Sequence, residues 1–257
     1  MTKTALVIDG DILLWECALA VEEPVDWGDD LWTLHADAAQ AKMHLDVAFA
    51  RLKDKLNATN IGVAFSSSEN WRKSVLPTYK HNRKKTRKPV VFYALKEYAR
   101  STYKCIEVPT LEADDICGVI MTGEHSSFYR TTADEKILVS SDKDLLQIPG
   151  LHYNPNKPED EIYEVTPDQA QYNHMFQTLT GDTVDGYGGC PKVGPKTAAK
   201  ILDGVAPNDR WSAVVEAYGK AGHTEEEALV QARVARILHK SDYNFGKKEV
   251  RLWKPKT

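Results

Sequence analysis

Short uninterrupted apolar runs alternate with longer stretches of helical periodicity along the first 150 residues. Ala5-Leu6-Val7-Ile8, Ile61-Gly62-Val63-Ala64-Phe65, Lys104 to Val108 (KCIEV) and Ile137-Leu138-Val139 predict buried strands. Between them, Ile12 to Ala20, 36–56, 89–101 (opening with Pro89) and 111–122 (capped by Thr110) predict helices. Strands alternating with helices predict an α/β fold, a mostly parallel sheet covered on both faces. The last 75 residues read as mainly helical, broken by a Gly/Pro-rich turn at 186–195. No internal repeat or low-complexity tract interrupts this order.

Ligands of such sheets bind beyond the carboxyl ends of the strands, and acids collect there. Asp9 follows the first run; Glu112, Asp114 and Asp115 follow the third; Asp142 and Asp144 follow the fourth. Each cluster alone has a plain reading as a helix cap or an acidic first turn. Asp182 and Asp185, within Gly181 to Gly186, read alone as a turn. Together they converge, and gathered carboxylates repel one another unless a cation compensates. An all-oxygen set selects hard ions, Mg²⁺ or Mn²⁺. Acids enough for two ions suit phosphodiester hydrolysis, where the ions neutralise the charge of in-line displacement.

Charge distribution adds a polyanion to this picture. The net charge of −4 is small, but residues 72–88 hold eight Lys/Arg and no acid. Residues 110–185 hold fifteen Asp/Glu against four Lys/Arg, and 233–257 hold eight Lys/Arg against two acids. An acidic centre flanked by basic segments predicts bound cations plus nucleic acid. In Arg72 to Lys88, Tyr79 interleaves with Lys80, His81 and Arg83, combining phosphate contacts with a ring able to stack a base.

The 257 residues are 42% hydrophobic and 27% charged, an ordinary globular composition. No apolar run approaches the ~20 residues of a membrane helix, and Asp9 and Asp11 cut the N-terminal run short of a signal peptide. A soluble, intracellular protein is expected. Cys17, Cys105, Cys117 and Cys190 have no C-x-x-C spacing and read as buried reduced thiols. No histidine is assigned a role. Gly189 to Thr197 nearly matches a phosphate-binding P-loop, but Pro195 breaks it and no strand precedes it. A helix–hairpin–helix is the alternative, its glycines allowing close approach and its N–H groups near Thr197 binding a phosphate.

The order DGD, YKxNR, ExDD, DxD, GDxxDG and GxxxVGPKTA resembles the 5′-nuclease superfamily of flap endonucleases and polymerase-associated 5′-exonucleases. Within it the likeness runs to the 5′→3′ exonucleases of short-tailed lytic bacteriophages. Asn70-Trp71-Arg72-Lys73 and the stretch from Ala235 through Tyr243-Asn244-Phe245 to Trp253 belong to the match. The resemblance implies a PIN-like nuclease core over 1–180, including a helical arch at 70–100. It implies a duplex-binding helical region over 181–240, followed by a basic tail at 241–257. Asp9, Glu112, Asp114, Asp115, Asp142, Asp144, Asp182 and Asp185 would hold two divalent ions. Asp9, Asp142, Lys80 and Arg83 would be catalytic, the latter two acting on the scissile phosphate. Arg72, Lys73, Tyr79, Lys80, Arg83, Lys84, Gly188, Gly194, Lys196 and Thr197 would contact DNA, with a monovalent cation, K⁺, at the hairpin.

The activity so implied is Mg²⁺-dependent 5′→3′ hydrolysis of double-stranded DNA, with flap cleavage and removal of RNA from RNA–DNA hybrids as extensions. The role is phage replication and host DNA degradation, by a monomer in the bacterial cytoplasm. One position departs: Ser67 stands where the superfamily has a metal-binding aspartate, with Glu69 the nearby substitute. Cys190-Pro191 also alters the hairpin turn. Two rival readings are a haloacid-dehalogenase-like phosphatase, from Asp9-x-Asp11, and a non-catalytic DNA-binding relative weakened at Ser67.

Overall fold

The computed structural model describes residues 3–123, 128–129, 133–157, 159 and 161–255; the side chains of Lys84 and Lys85 fall outside that description. The chain begins with β1 (Thr4–Asp9) and α1 (Gly10–Leu19), then a hairpin of β2 (Glu22–Asp26) and β3 (Trp32–Ala36). It continues through α2 (Ala38–Lys55), β4 (Ala58–Phe65), α3 (Arg72–Val75), α4 (Phe92–Thr102), β5 (Cys105–Glu107) and α5 (Ala113–Met121). Next come β6 (Glu135–Val139), β7 (Gly150–Tyr153) and β8 (Tyr163–Val165). The C-terminal third holds α6 (Pro167–Thr180), α7 (Pro195–Leu202), α8 (Arg210–Lys220) and α9 (Glu225–Ala235), then a short hairpin, β9 (Tyr243–Asn244) and β10 (Glu249–Val250).

Among the described residues, six strands form the main sheet in the order β5-β4-β1-β6-β7-β8. All pairs are parallel except the last, β7 with β8. The four apolar runs of the sequence are its four neighbouring strands β5-β4-β1-β6, with β5 at the edge. β1 shows why a continuous apolar run suits this place: Leu6 and Ile8 enter the core beside α1, α2 and α4, while Ala5 and Val7 enter the core beside α5. A third core joins α6, α7, α8 and α9 through Leu179, Ala198, Val214 and Ala228. The C-terminal stretch is packed rather than trailing, with Tyr243 buried beside Phe128 and Trp253 edge-on to His174 and Trp211.

Two helix starts differ from expectation. Pro89 belongs to the turn before α4, where its carbonyl accepts the Phe92 N–H at 3.1 Å. Thr110 has φ 67° and does not cap α5; Glu112 does, with Asp115 closing the box from inside. Within 70–91 helical structure is confined to α3 and a 3₁₀ turn, His81–Lys85. The topology places the carboxyl ends of β1, β4 and β6 side by side, with the first turn of α5 and the loop after α6 beside them.

Candidate active site

Seven of the eight predicted acids meet in one open cleft. Asp9 ends β1 and is only 3% exposed. It stands at the head of α1. Its Oδ2 accepts the Ser140 hydroxyl at 3.2 Å, and the same Ser140 oxygen accepts the Asp142 N–H at 3.0 Å. One serine thus ties together the acids of neighbouring strand ends. Asp142 also caps the turn that follows β6, accepting the Asp144 N–H at 2.8 Å. Asp114, from the first turn of α5, lines the same cleft, as do Asp144 and Asp182. Asp182 accepts the N–H groups of Val184 and Asp185 at 2.7 and 3.2 Å, which folds the loop after α6 into a tight turn.

Charge repulsion registers in the protons. Burial, then Asp11 and Asp142, push the Asp9 carboxyl up to about 7. Burial, then Asp142 and Asp182, push Asp144 to about 7 as well. Asp114 is raised well above the usual carboxylate range by burial, Asp9 and Asp142. Glu112 goes the other way. Burial alone would raise it, but Lys80 and Arg72 outweigh burial and hold it at about 2.

The basic segment closes over this cleft. Lys80 pairs with Glu112 and lies 3.5 Å from Asp185, which also pairs with Arg83. The segment is latched by backbone too: Lys80, at φ 54°, donates its N–H to the Asp185 carbonyl at 2.8 Å. Asn82 Nδ2 donates to the Thr183 and Val184 carbonyls at 2.9 and 3.2 Å. Asn82 and Ser140 were not singled out from sequence, although Asn82 lies inside the Tyr-Lys-x-Asn-Arg motif.

Three assignments are corrected by burial. Asp115 is fully buried and already saturated. It accepts from Trp71 Nε1 at 2.9 Å, from Arg72 at 2.7 and 2.8 Å, and from the Leu238 N–H at 3.1 Å. No lone pair is left free for an ion in the cleft. Arg72 is its partner, 3% exposed, with further bonds to the carbonyls of Val234 and Arg236 at 2.9 and 2.6 Å. It is out of reach of DNA. Tyr79 is also 3% exposed, its hydroxyl engaged by Glu112 and Asp185 at 2.9 Å each and its ring beside Tyr187. It has no free face to stack a base. Lys73, Gly188, Gly194, Lys196 and Thr197 are exposed; the Lys84 side chain lies outside the described residues. Gly194 caps α7, so Lys196 and Thr197 stand in its first turn, next to Pro195 on the cleft wall.

The donor set fits hard divalent ions: carboxylate oxygens, with no thiol or imidazole among the cleft residues. No three His, Cys, Asp or Glu side chains among the described residues are drawn tightly enough to enclose an ion. Lys80 and Arg83 hold Glu112 and Asp185 aside as internal counter-ions.

Comparison with known proteins follows the same lines. The family described as 5'-3' exonuclease, N-terminal resolvase-like domain, matches residues 4–172. The exodeoxyribonuclease of Enterobacteria phage T3 is 32% identical over 99% of this chain and 94% of its own length. The exonuclease of Escherichia phage T7 is 32% identical over 98% of this chain and 94% of its own. In fold, the T5 D15 protein co-crystallised with metal ions superposes with a TM-score of 0.66 at 14% identity, over 91% of this chain and 89% of that one. Full-length likeness to two exonucleases removes the phosphatase reading, which never accounted for the basic segment. The chain belongs to the 5′-3′ exonuclease family and is a nuclease acting on DNA.

Proposed function

We propose that this nuclease hydrolyses double-stranded DNA inward from 5′ ends in a reaction dependent on two divalent ions, Mg²⁺ or Mn²⁺. The observation that carries this reading is the cleft itself. Carboxylates from β1, α5, the turn after β6 and the loop after α6 share one opening with Lys80 and Arg83 at its rim. Asp9, Glu112, Asp114, Asp142, Asp144, Asp182 and Asp185 would hold the ions. When bound, the ions supply charge neutralisation at phosphorus and ease ionisation of the attacking water.

The chain's own residues do the rest. Lys80 and Arg83 exchange Glu112 and Asp185 for the scissile phosphate, which releases Asp185 from its cations and leaves Glu112 paired with Arg72 alone. Phosphate contacts of this kind carry no base information, so cleavage runs through any sequence. Lys196, exposed at the start of α7, takes the duplex backbone farther along, with K⁺ the expected ion at the hairpin. Flap cleavage and removal of RNA from RNA–DNA hybrids, phage replication and host DNA degradation, a monomeric state and the host cytoplasm complete the proposal. Among the described residues no helix is long and apolar enough to cross a membrane.

Duplexes labelled at the 5′ or the 3′ end and digested with Mg²⁺ test it. The 5′ label should appear first in the shortest products, while 3′-labelled strands shorten gradually, and EDTA should stop both. Early loss of the 3′ label, or digestion in EDTA, would sink the reading.

A further inference from the structure

Position 67 carries no acid, and the cleft holds an acid, Asp11, that no ion is yet assigned to. The side chain of Ser67 does not line the opening. Its hydroxyl accepts the Glu69 N–H at 3.3 Å, and its own N–H donates to the Leu111 carbonyl at 2.9 Å. Glu69 is exposed and lines the cleft no more than Ser67 does. Asp11 does line it. Its Oδ2 accepts the Ser66 N–H at 3.0 Å, so the carboxylate reaches from the first turn of α1 to the end of β4. That is the strand end where an acid at position 67 would stand.

Asp11 is also uncommitted. Glu112 and Asp185 are paired with Lys80, Arg72 and Arg83, whereas no ion pair of the described residues includes Asp11. Asp11 shares the cleft with Asp9, Asp114 and Asp142. An acid held against another acid by a backbone N–H, with no cation, is poorly placed unless a cation arrives. A favourable helix dipole explains an acid in a first turn, but not one turned across to the neighbouring strand end.

We infer that Asp11 is a ligand of the divalent ion beside Asp9 and supplies the charge that Ser67 lacks. The inference rests on the metal-dependent reading above. Affinity of an all-oxygen site rises with the charge of its ligands, so a neutral residue at 67 demands an acid elsewhere.

Titration of Mn²⁺ into the DNA-free protein, followed by calorimetry, decides it. Asp11→Asn keeps an oxygen for the Ser66 N–H while removing the charge, and Asp11→Ser removes the charge together with the reach of the side chain. Loss of groups that merely support a ligand costs about 10–100-fold in metal affinity, so each variant should weaken the tighter site by about tenfold or more. Glu69→Gln should titrate like the wild type. Melting in EDTA checks the fold, and neither Asp11 variant should melt below the wild type, since repulsion of Asp9 is relieved. Should Asp11→Asn and Asp11→Ser bind Mn²⁺ as the wild type does, Asp11 is no ligand and the metal-dependent reading survives. If the wild type itself takes up no Mn²⁺, that reading falls and this assignment falls with it.

Discussion

Asp114 and Asp115 are neighbours on α5, yet one lines the cleft and the other is locked in the interior. Successive helical residues differ by about 100° in direction, so an acidic doublet divides between two environments. Sequence shows the doublet but not the division, because Arg72, the partner of Asp115, lies 43 residues away. The same distance hides the role of Arg72, whose place at the head of a basic run suggested DNA contact. The two kinds of acid should separate experimentally. Asp115→Asn takes its bidentate carboxylate from a buried guanidinium and leaves it only the Glu112 contact, and breaking such a buried pair costs about 3–5 kcal/mol. For a chain of this size that is a fall of roughly 6–20 °C in melting temperature. Asp142→Asn should instead melt no lower than the wild type in EDTA, because it removes a charge that repels Asp9, Asp114 and Asp144. Its cleavage rate should drop roughly 10³-fold or more, as loss of a metal ligand removes several kcal/mol of transition-state stabilisation. A melting temperature for Asp115→Asn equal to the wild type's would show that the buried pair is not holding α5 to α3. Asp142→Asn turning over normally would remove Asp142 from the chemistry.

The elements that sequence identified best are those with one surrounding. β1 is wholly buried, β4 and β6 are buried toward their carboxyl ends, and their apolar runs show it directly. The hairpin of β2 and β3 was not anticipated because it faces solvent nearly all round, with Trp27 66% and Trp32 58% exposed, so no inside–outside alternation marks it. β7 was missed for another reason: its four residues include His152, a buried polar residue bonded to the Ile148 carbonyl. The loop after α6 was legible as a glycine-rich turn, but not the way it closes. Gly181 and Gly189, at φ 65° and 63°, cross so closely that a Cβ on Gly189 would stand 2.3 Å from the Gly181 nitrogen. That crossing sets the loop carrying Asp182 and Asp185. Gly188 is different, since a Cβ there meets nothing within 4 Å. Gly189→Ala must push backbone from backbone and also strain a left-handed residue, so both melting temperature and cleavage should fall. Gly188→Ala should melt like the wild type, and any loss should appear only in duplex affinity. Equal stability of the two variants would mean the loop opens without cost and does not fix the acids.

At the scale of the whole molecule, two sets of buried groups pull stability in opposite directions with pH. Asp9 and Asp144 titrate near about 7 in the fold, against 3.8 for an ordinary aspartate. Between these values the folded protein keeps protons that the unfolded chain has lost, so this contribution declines as pH rises toward 7. Burial pushes His174 down to about 3 and His239 to about 4, from 6.5. There the unfolded chain gains protons that the fold refuses, so this contribution is lost as pH falls below 6.5. Glu112, held at about 2, loses its contribution only below 4.5 and stays constant across the window. The metal-free protein should therefore change little in melting temperature between pH 5 and 7, the two slopes offsetting. Divalent ions cancel only the first set, because they bind the ionised carboxylates and displace their protons. In saturating Mg²⁺ or Mn²⁺ the histidine slope should stand alone, and melting temperature should climb with pH. At one hundred times its dissociation constant an ion adds about 2.7 kcal/mol, or roughly 5–10 °C for this length. That gain over EDTA should be reached near pH 7.5 and shrink toward pH 5, where protons compete for Asp9 and Asp144. A monovalent salt at matched ionic strength is the required control, since screening alone also relieves repulsion. A gain that is the same at pH 5 and pH 7.5 would mean the ions do not bind the acids whose protons the cleft has raised. No gain over the matched control at either pH would mean the ions enter only with DNA, after Lys80 and Arg83 have left Glu112 and Asp185 for phosphate.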